Sequence, residues 1–239
     1  MTEEEVYKLI VRLGYILLFA RGILLFLLFA KRTNFTKQSA FNMLFWYAFI
    51  GFLISVFENS FIKIVTLFKT QIIPILQKLE IDDTFFISPF YYVNELLFLG
   101  LFYSRVLKDK TGELVRYAAF VLAGLEILNT VFGEGYKDAQ KMGSLLLSLN
   151  GIVLPLLFFR QYYTQKNTTS FTQKAYSWIS WGVLVPYIFS LLVYFLSDTL
   201  HTNFRILFYQ LSIVRMSIDM IGILMMAYGV SLVRAHKRT

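Results

Sequence analysis

Residues 13–30 read LGYILLFARGILLFLLFA, a run of eighteen residues in which Arg21 is the only charged side chain. A helix needs about 20 mostly apolar residues to cross the hydrocarbon core of a bilayer, which is roughly 30 Å thick. The run therefore predicts a transmembrane helix. The whole chain has the same character, since 57% of its 239 residues are hydrophobic and only 16% are charged. Soluble domains carry about 25% charged residues, so the chain is predicted to lie in a membrane.

Seven segments are long and apolar enough to span. The sequence predicts one all-α domain over residues 1–239, a polytopic membrane helical bundle of seven transmembrane helices. Residues 61–80 are interrupted by lysines, glutamines and Pro74, and we expect them to extend the second helix outward into an amphipathic interfacial helix. The predicted spans cover about 7–30, 40–60, 85–107, 115–133, 142–163, 174–197 and 203–234.

The orientation follows from the basic residues that flank the spans. Thirteen Lys and Arg belong to the first, third and fifth connections and the C-terminal tail, and seven belong to the opposite side. Cytoplasmic loops carry the excess of Lys and Arg. We therefore expect an N-terminus outside, a cytoplasmic C-terminus and a multi-pass protein of the plasma (inner) membrane. The net charge of +8 is explained by these loops, so nucleic acid is not an expected partner.

Several polar residues fall inside the predicted spans. A charged side chain near the bilayer centre costs about 2.5–3.5 kcal/mol on insertion scales, and such residues usually face the bundle interior. They form either interior ion pairs that fix the helix register or a cavity that binds a small polar ligand or carries protons. The sequence places this network among the third, fourth, fifth and seventh spans. The candidate residues are Arg21, Asn94, Glu95, Glu126, Asn129, Asn150, Arg215 and Asp219.

The sixth span carries Pro186 near its middle. Proline removes one helical hydrogen bond and kinks the helix. Pro186 is therefore a candidate hinge, and a static kink is the alternative.

The small number or absence of certain residue types in the sequence excludes several classes of protein. The chain has no Cys, which excludes disulfides and thiolate metal sites, and it has two His, too few for a seven-helix zinc hydrolase. The last span has no Lys that could anchor retinal. We expect no metal or other cofactor and no enzymatic activity, with a carboxylate-only active site of Glu95, Glu126 and Asp219 as the alternative.

Two short runs carry a family resemblance, YYVNELL at 91–97 and WISWG at 178–182. With them the chain resembles uncharacterised small bacterial seven-helix integral membrane proteins, a resemblance that implies a membrane location. Its helix count and orientation are also similar to those of seven-helix sensor regions and of sugar and vitamin carriers built from three, one and three helices. The Pro-Gln pair of those carriers is missing.

Three functions fit these features. The first is a seven-helix membrane sensor or signalling protein that is receptor-like, with a polar intramembrane pocket. Because few residues follow the last span, such a sensor is expected to act through a separate partner protein. The second is a small-solute or proton-coupled transporter that uses Glu95, Glu126 and Asp219. The third is a structural subunit of a membrane complex.

Overall fold

The computed structural model describes residues 3–32, 40–81, 84–137, 140–164 and 171–233. The regular structure of these residues is entirely helical, and seven helices are long and apolar enough to cross a membrane. The predicted all-α bundle with seven such helices is confirmed. The elements are α1 (Glu3–Ala30), α2 (Ala40–Leu67), α3 (Lys69–Lys78), a 3-10 turn (Thr84–Ile87), α4 (Ser88–Val106), α5 (Asp109–Phe132), α6 (Lys141–Thr164), α7 (Phe171–Asn203) and α8 (Arg205–Ser231).

The segment between the second and third spans forms a separate short helix. Helix α2 continues to Leu67, and α3 follows after Phe68. The ten residues of α3 rise about 15 Å, half the thickness of the hydrocarbon core. None of them is buried against the bundle. Residues 61–80 therefore add no eighth span.

Helices α7 and α8 form the most closely packed pair. Only Phe204 separates them, so they run antiparallel. A Cβ atom built on Gly182 would lie 2.5 Å from the carbonyl oxygen of Gly222, and one on Gly229 would lie 2.7 Å from that of Ala175. Glycine at these positions lets the two backbones approach, as is common between membrane helices.

Six of the spanning helices form a closed ring in the order α1, α2, α4, α6, α7, α8. Helix α5 lies outside the ring and packs mainly on α4. Gly100 of α4 provides the contact point, because a Cβ atom there would overlap the Cβ atom of Ala119. Outward-facing aromatic residues such as Phe19 (71% exposed) and Phe132 (82% exposed) suit a lipid environment.

The helix ends divide the bundle into two faces. One face holds the ends at Ala30, Val106, Thr164 and Ser231, and we call it the basic face because the arginine- and lysine-rich connections belong to it. Two of those connections, residues 33–39 and 165–170, and the tail from residue 234 lie outside the described residues.

Candidate functional site

Three of the charged residues singled out in the sequence occupy the same level of the bundle. Arg21, Glu95 and Asp219 precede the basic-face ends of α1, α4 and α8 by nine, eleven and twelve residues. At 1.5 Å per residue these separations are about 14, 17 and 18 Å. The three side chains therefore lie at a similar distance from the basic face, a distance that would be about half of a hydrocarbon core roughly 30 Å thick. We call them the central cluster.

Arg21 reaches from α1 into α2. Its guanidinium donates hydrogen bonds to the Ser55 hydroxyl and to the carbonyl oxygen of Gly51, the latter at 3.4 Å. Gly51 and Ser55 are both buried and lie four residues apart on one face of α2. Their small side chains leave room for the guanidinium, which also lies 5.0 Å from the centre of the Tyr91 ring, a cation–π contact.

Tyr91 of α4 extends this network toward the opposite face of the bundle. Its hydroxyl lies 2.8 Å from the Ser55 Oγ and donates to the Glu58 carboxylate at 2.9 Å. A continuous chain of polar contacts thus runs from Arg21 through Ser55 and Tyr91 to Glu58. A buried cation needs such partners, because an unpaired charge in an apolar interior is strongly destabilising.

Glu95 is held from the other side of the bundle by α7. It accepts a hydrogen bond from the Tyr187 hydroxyl. The Tyr187 ring packs on Gly151 of α6, where a Cβ atom would lie 2.7 Å from the ring carbon Cε2. Glu95 is also within electrostatic range of Arg21 and Asp219. The hydrogen bond between Tyr187 and Glu95 therefore connects α7 to α4.

A small cavity lies within the central cluster. It has a volume of about 20 Å³ and is lined by Arg21, Tyr47, Gly51, Asn94 and Glu95, with Leu24, Ala48 and Ile223. That volume holds about one water molecule. Asn94 donates from Nδ2 to the carbonyl oxygen of Tyr47 at 3.2 Å. Its buried Oδ1 has no hydrogen-bond partner among the described residues, which leaves an acceptor for a water molecule or a ligand.

Helix α8 carries two of the charged residues predicted for the site, one half-buried and one exposed. Asp219 is half-buried and lies within electrostatic range of Arg21 and Arg215. Arg215 is exposed, although the sequence led us to expect it in the interior. Helix α8 packs on α7 and α1.

Glu126 lies apart from the central cluster, on α5 outside the ring. It is completely buried, and neither carboxylate oxygen has a hydrogen-bond partner in the described part of the chain. A Cβ atom built on Gly143 would lie 2.7 Å from each of these oxygens and from the Tyr92 ring. Glu126 is therefore enclosed between α4, α5 and α6.

Two of the predicted asparagines have other surroundings. Asn129 donates from Nδ2 to the Glu134 carboxylate at 3.0 Å. That carboxylate in turn accepts the backbone N–H of Met142 at the start of α6, so Asn129 supports a helix cap. Asn150 is half-buried in α6 and does not line the cavity. The cavity thus lies among the first, second, third and last spans, not among the four spans expected from the sequence.

Pro186 is buried against α8. A Cβ atom built on Gly222 would lie 3.2 Å from the Pro186 Cδ and 2.5 Å from the carbonyl oxygen of Gly182. This contact ties the middle of α7 to α8, so a bend at Pro186 would carry α8 with it. The hinge at Pro186 stays a prediction, and such a hinge would move α7 and α8 together.

The described residues contain no group of three or more His, Cys, Asp or Glu that could hold a metal ion. No family model matches this chain, and no curated protein or solved structure is significantly similar to it.

Proposed function

We propose that this protein is a sensor of the plasma (inner) membrane whose receptor site is the central cluster with its cavity. In this proposal the basic face is cytoplasmic, and a separate partner protein reads the positions of the helix ends there. The observation that carries the proposal is that α1 and α8 pack on each other along the bundle and meet again at the basic face.

The second meeting point is a cap on α8. Lys31, just after α1, donates to the carbonyl oxygens of Ser231 and Val233 at 2.5 and 2.6 Å. A cation is favourable there because the carbonyl end of a helix carries partial negative charge. Burial lowers the pKa of Lys31 below its ordinary value, a sign that the ammonium group is partly withdrawn from water. We call this contact the α1–α8 clamp.

The central cluster and the α1–α8 clamp are joined by rigid helix. Lys31 follows Arg21 by ten residues, just past the end of α1, and Ser231 follows Asp219 by twelve residues on α8. These separations are about 15 and 18 Å along the helices. A ligand that takes the Arg21 guanidinium away from Ser55 and Gly51 moves α1 within the bundle, and the clamp passes that movement to α8 at the basic face.

The chemistry of the cavity indicates the class of ligand. Arg21 supplies donors, and Glu95 and the free Oδ1 of Asn94 supply acceptors. A small polar molecule with both donors and acceptors complements this lining. Because the cavity holds about one water molecule, any larger ligand must separate the helices as it binds. Binding therefore produces the movement that a sensor needs.

Spin labels test the proposal directly, because the chain has no Cys and introduced cysteines are its only thiols. One label pair, Ala30 with Tyr163, follows the end of α1. A second pair, Ser231 with Tyr163, follows the end of α8. Electron–electron distances are measured in lipid nanodiscs for the wild type, for Glu95→Gln and for Arg21→Gln. We expect both substitutions to shift at least one distance by about 1–2 Å, the usual size of helix shifts in switching proteins.

Arg12→Gln is the matched control, because Arg12 is an exposed arginine of the same helix and should leave both distances unchanged. Identical distances in all variants would refute the coupling between cluster and clamp. Proton or solute flux into liposomes that depends on Glu95 would instead identify a transporter.

A proton-coupled transporter is the second candidate, and Glu126 favours it. A buried carboxylate whose two oxygens have no hydrogen-bond partner among the described residues lowers the stability of the fold. Such a carboxylate could bind a proton or a cation during transport. Flux measured in liposomes with Glu126→Gln tests this alternative, which requires the flux to fall.

A further inference from the structure

An apolar groove opens between α1 and α2 on the outside of the bundle. It has a volume of about 480 Å³, within the range of ligand-binding pockets. Its walls are mainly aromatic and include Phe26 and Phe29, which are 68% and 64% exposed, and Trp46, which is 40% exposed. The groove has no part in the central cluster, because it lies on the lipid-facing side of the two helices.

The groove ends at a positive charge. Arg32 lines it at the basic face, and its guanidinium carbon lies 4.6 Å from the centre of the Phe45 ring. This cation–π contact holds the exposed guanidinium at the mouth of the groove. Arg32 is two residues beyond the apolar span, which ends at Ala30, so it lies at the level of the lipid headgroups.

The length of the groove matches one leaflet of a bilayer. Arg32 follows Gly22 by ten residues, along α1 and the turn after it, or about 15 Å, half of a hydrocarbon core roughly 30 Å thick. Gly22 forms the deep end, where the missing side chain leaves a notch beside Phe52. A Cβ atom there would lie 3.5 Å from Phe52 Cε2. The deep end of the groove therefore coincides with the ends of the acyl chains.

We propose that this groove binds one anionic phospholipid of the leaflet at the basic face, with an acyl chain along Gly22, Phe26 and Phe29 and the headgroup phosphate on Arg32. The positive charge of Arg32 at the mouth of the groove is the reason why we expect an anionic lipid. Basic residues at a membrane surface attract anionic lipids, and the planar guanidinium can bind a phosphate through two hydrogen bonds. The inference does not depend on the proposed sensor function.

Trp46 is a built-in reporter of groove occupancy. The chain has three Trp, and the other two, Trp178 and Trp181, lie on α7. With Trp178→Phe and Trp181→Phe, fluorescence comes from Trp46 alone. The probes are phosphatidylglycerol and phosphatidylcholine with identical brominated acyl chains, which quench tryptophan on contact. Each is titrated into vesicles that contain the purified protein.

We expect brominated phosphatidylglycerol to quench Trp46 at about one-fifth of the concentration that phosphatidylcholine requires, the preference that one basic residue near the headgroups supplies. Arg32→Gln should reduce this ratio to about one, and Gly22→Leu should weaken quenching by both lipids. A variant that keeps only Trp178 serves as the control, because that residue is 41% exposed on a different helix and Arg32→Gln should not alter its quenching. Equal quenching of Trp46 by the two lipids, or a preference that survives Arg32→Gln, would overturn the proposal.

Discussion

Replacing Tyr187 by Phe removes a single hydroxyl and tests whether Glu95 is ionised in the folded protein. In the structure that hydroxyl donates to the Glu95 carboxylate. A hydrogen bond to a charged group contributes about 1.5–3 kcal/mol, whereas hydrogen bonds between membrane helices average about 0.6 kcal/mol. For an ionised Glu95 we expect Tyr187→Phe to lower the free energy of unfolding by about 2 kcal/mol, roughly a thirtyfold change in the equilibrium.

Tyr103→Phe is the matched control. The Tyr103 hydroxyl is buried and bonds the uncharged Ser180 Oγ at 3.0 Å, so its loss should cost about 0.6 kcal/mol. Reversible unfolding in mixed micelles of mild and denaturing detergent measures both variants. A double-mutant cycle of Tyr187→Phe with Glu95→Gln then isolates the coupling energy. If Tyr187→Phe costs no more than Tyr103→Phe, or the coupling is near zero, the hydroxyl of Tyr187 does not bond an ionised Glu95.

Three further substitutions test other parts of the structure. Gly222→Ala should destabilise the protein by about 1–3 kcal/mol because its Cβ overpacks the α7–α8 contact. Gly124→Ala, where a Cβ meets nothing within 4 Å, should stabilise it by up to about 1 kcal/mol; thermal melts that show equal effects would contradict the contact. Glu126→Met should stabilise the protein by about 1–3 kcal/mol, since it removes buried oxygens that have no hydrogen-bond partner among the described residues; a lower melting temperature would show that the carboxylate holds a proton or cation. Lys137 lowers the pKa of Glu80 below its ordinary 4.5, so their ion pair contributes stability above that pH and loses it as the pH falls. Glu80→Gln should therefore show a smaller drop in melting temperature between pH 7 and pH values below 4 than the wild type. The difference should be small and should disappear in high salt, because both side chains are exposed.

The spans could be predicted from the sequence because each one is a local property. A run such as residues 13–30 must be satisfied by lipid whatever the rest of the chain does. The exact ends of the helices are harder to predict from the sequence. Helix α7 continues to Asn203, beyond the predicted end at 197, because hydropathy changes at the membrane surface whereas helical hydrogen bonding need not.

The central cluster could be predicted only in part. The position of a residue within its span can be read from the sequence, so Arg21, Glu95 and Asp219 could be expected at one level of the bundle. The neighbours of each helix are a tertiary property, and hydropathy carries no information about them. Ala119 of α5 packs on α4 at Gly100, and Glu126 of the same helix lies outside the ring.

The tyrosines of the site were missed because tyrosine in a membrane protein usually indicates the interface. A signal was present in α2, where Tyr47, Gly51 and Ser55 recur every four residues and share one face. Arg21 donates to the Ser55 hydroxyl and to the Gly51 carbonyl oxygen, and Tyr47 lines the cavity. A stripe that mixes tyrosine with small residues at mid-span is therefore a better indicator of a buried cation's partner than the tyrosine alone.

Filling the cavity tests whether the central cluster has a structural or a functional role. The substitution that fills it is Gly51→Ala. A Cβ atom at Gly51 would lie 3.4 Å from the Asn94 Nδ2, close enough to need a slight adjustment and nothing more. The methyl group would occupy part of a cavity of about 20 Å³, leaving too little room for a water molecule. If the charges only fix the helix register, stability should be unchanged or should rise by up to about 1 kcal/mol, since alanine favours the helix, and no other property should change. If the cavity is a receptor site, the same variant should keep its stability and lose ligand-dependent changes in the Ala30–Tyr163 and Ser231–Tyr163 distances. A stable variant in which those changes persist would show that the response does not pass through this cavity.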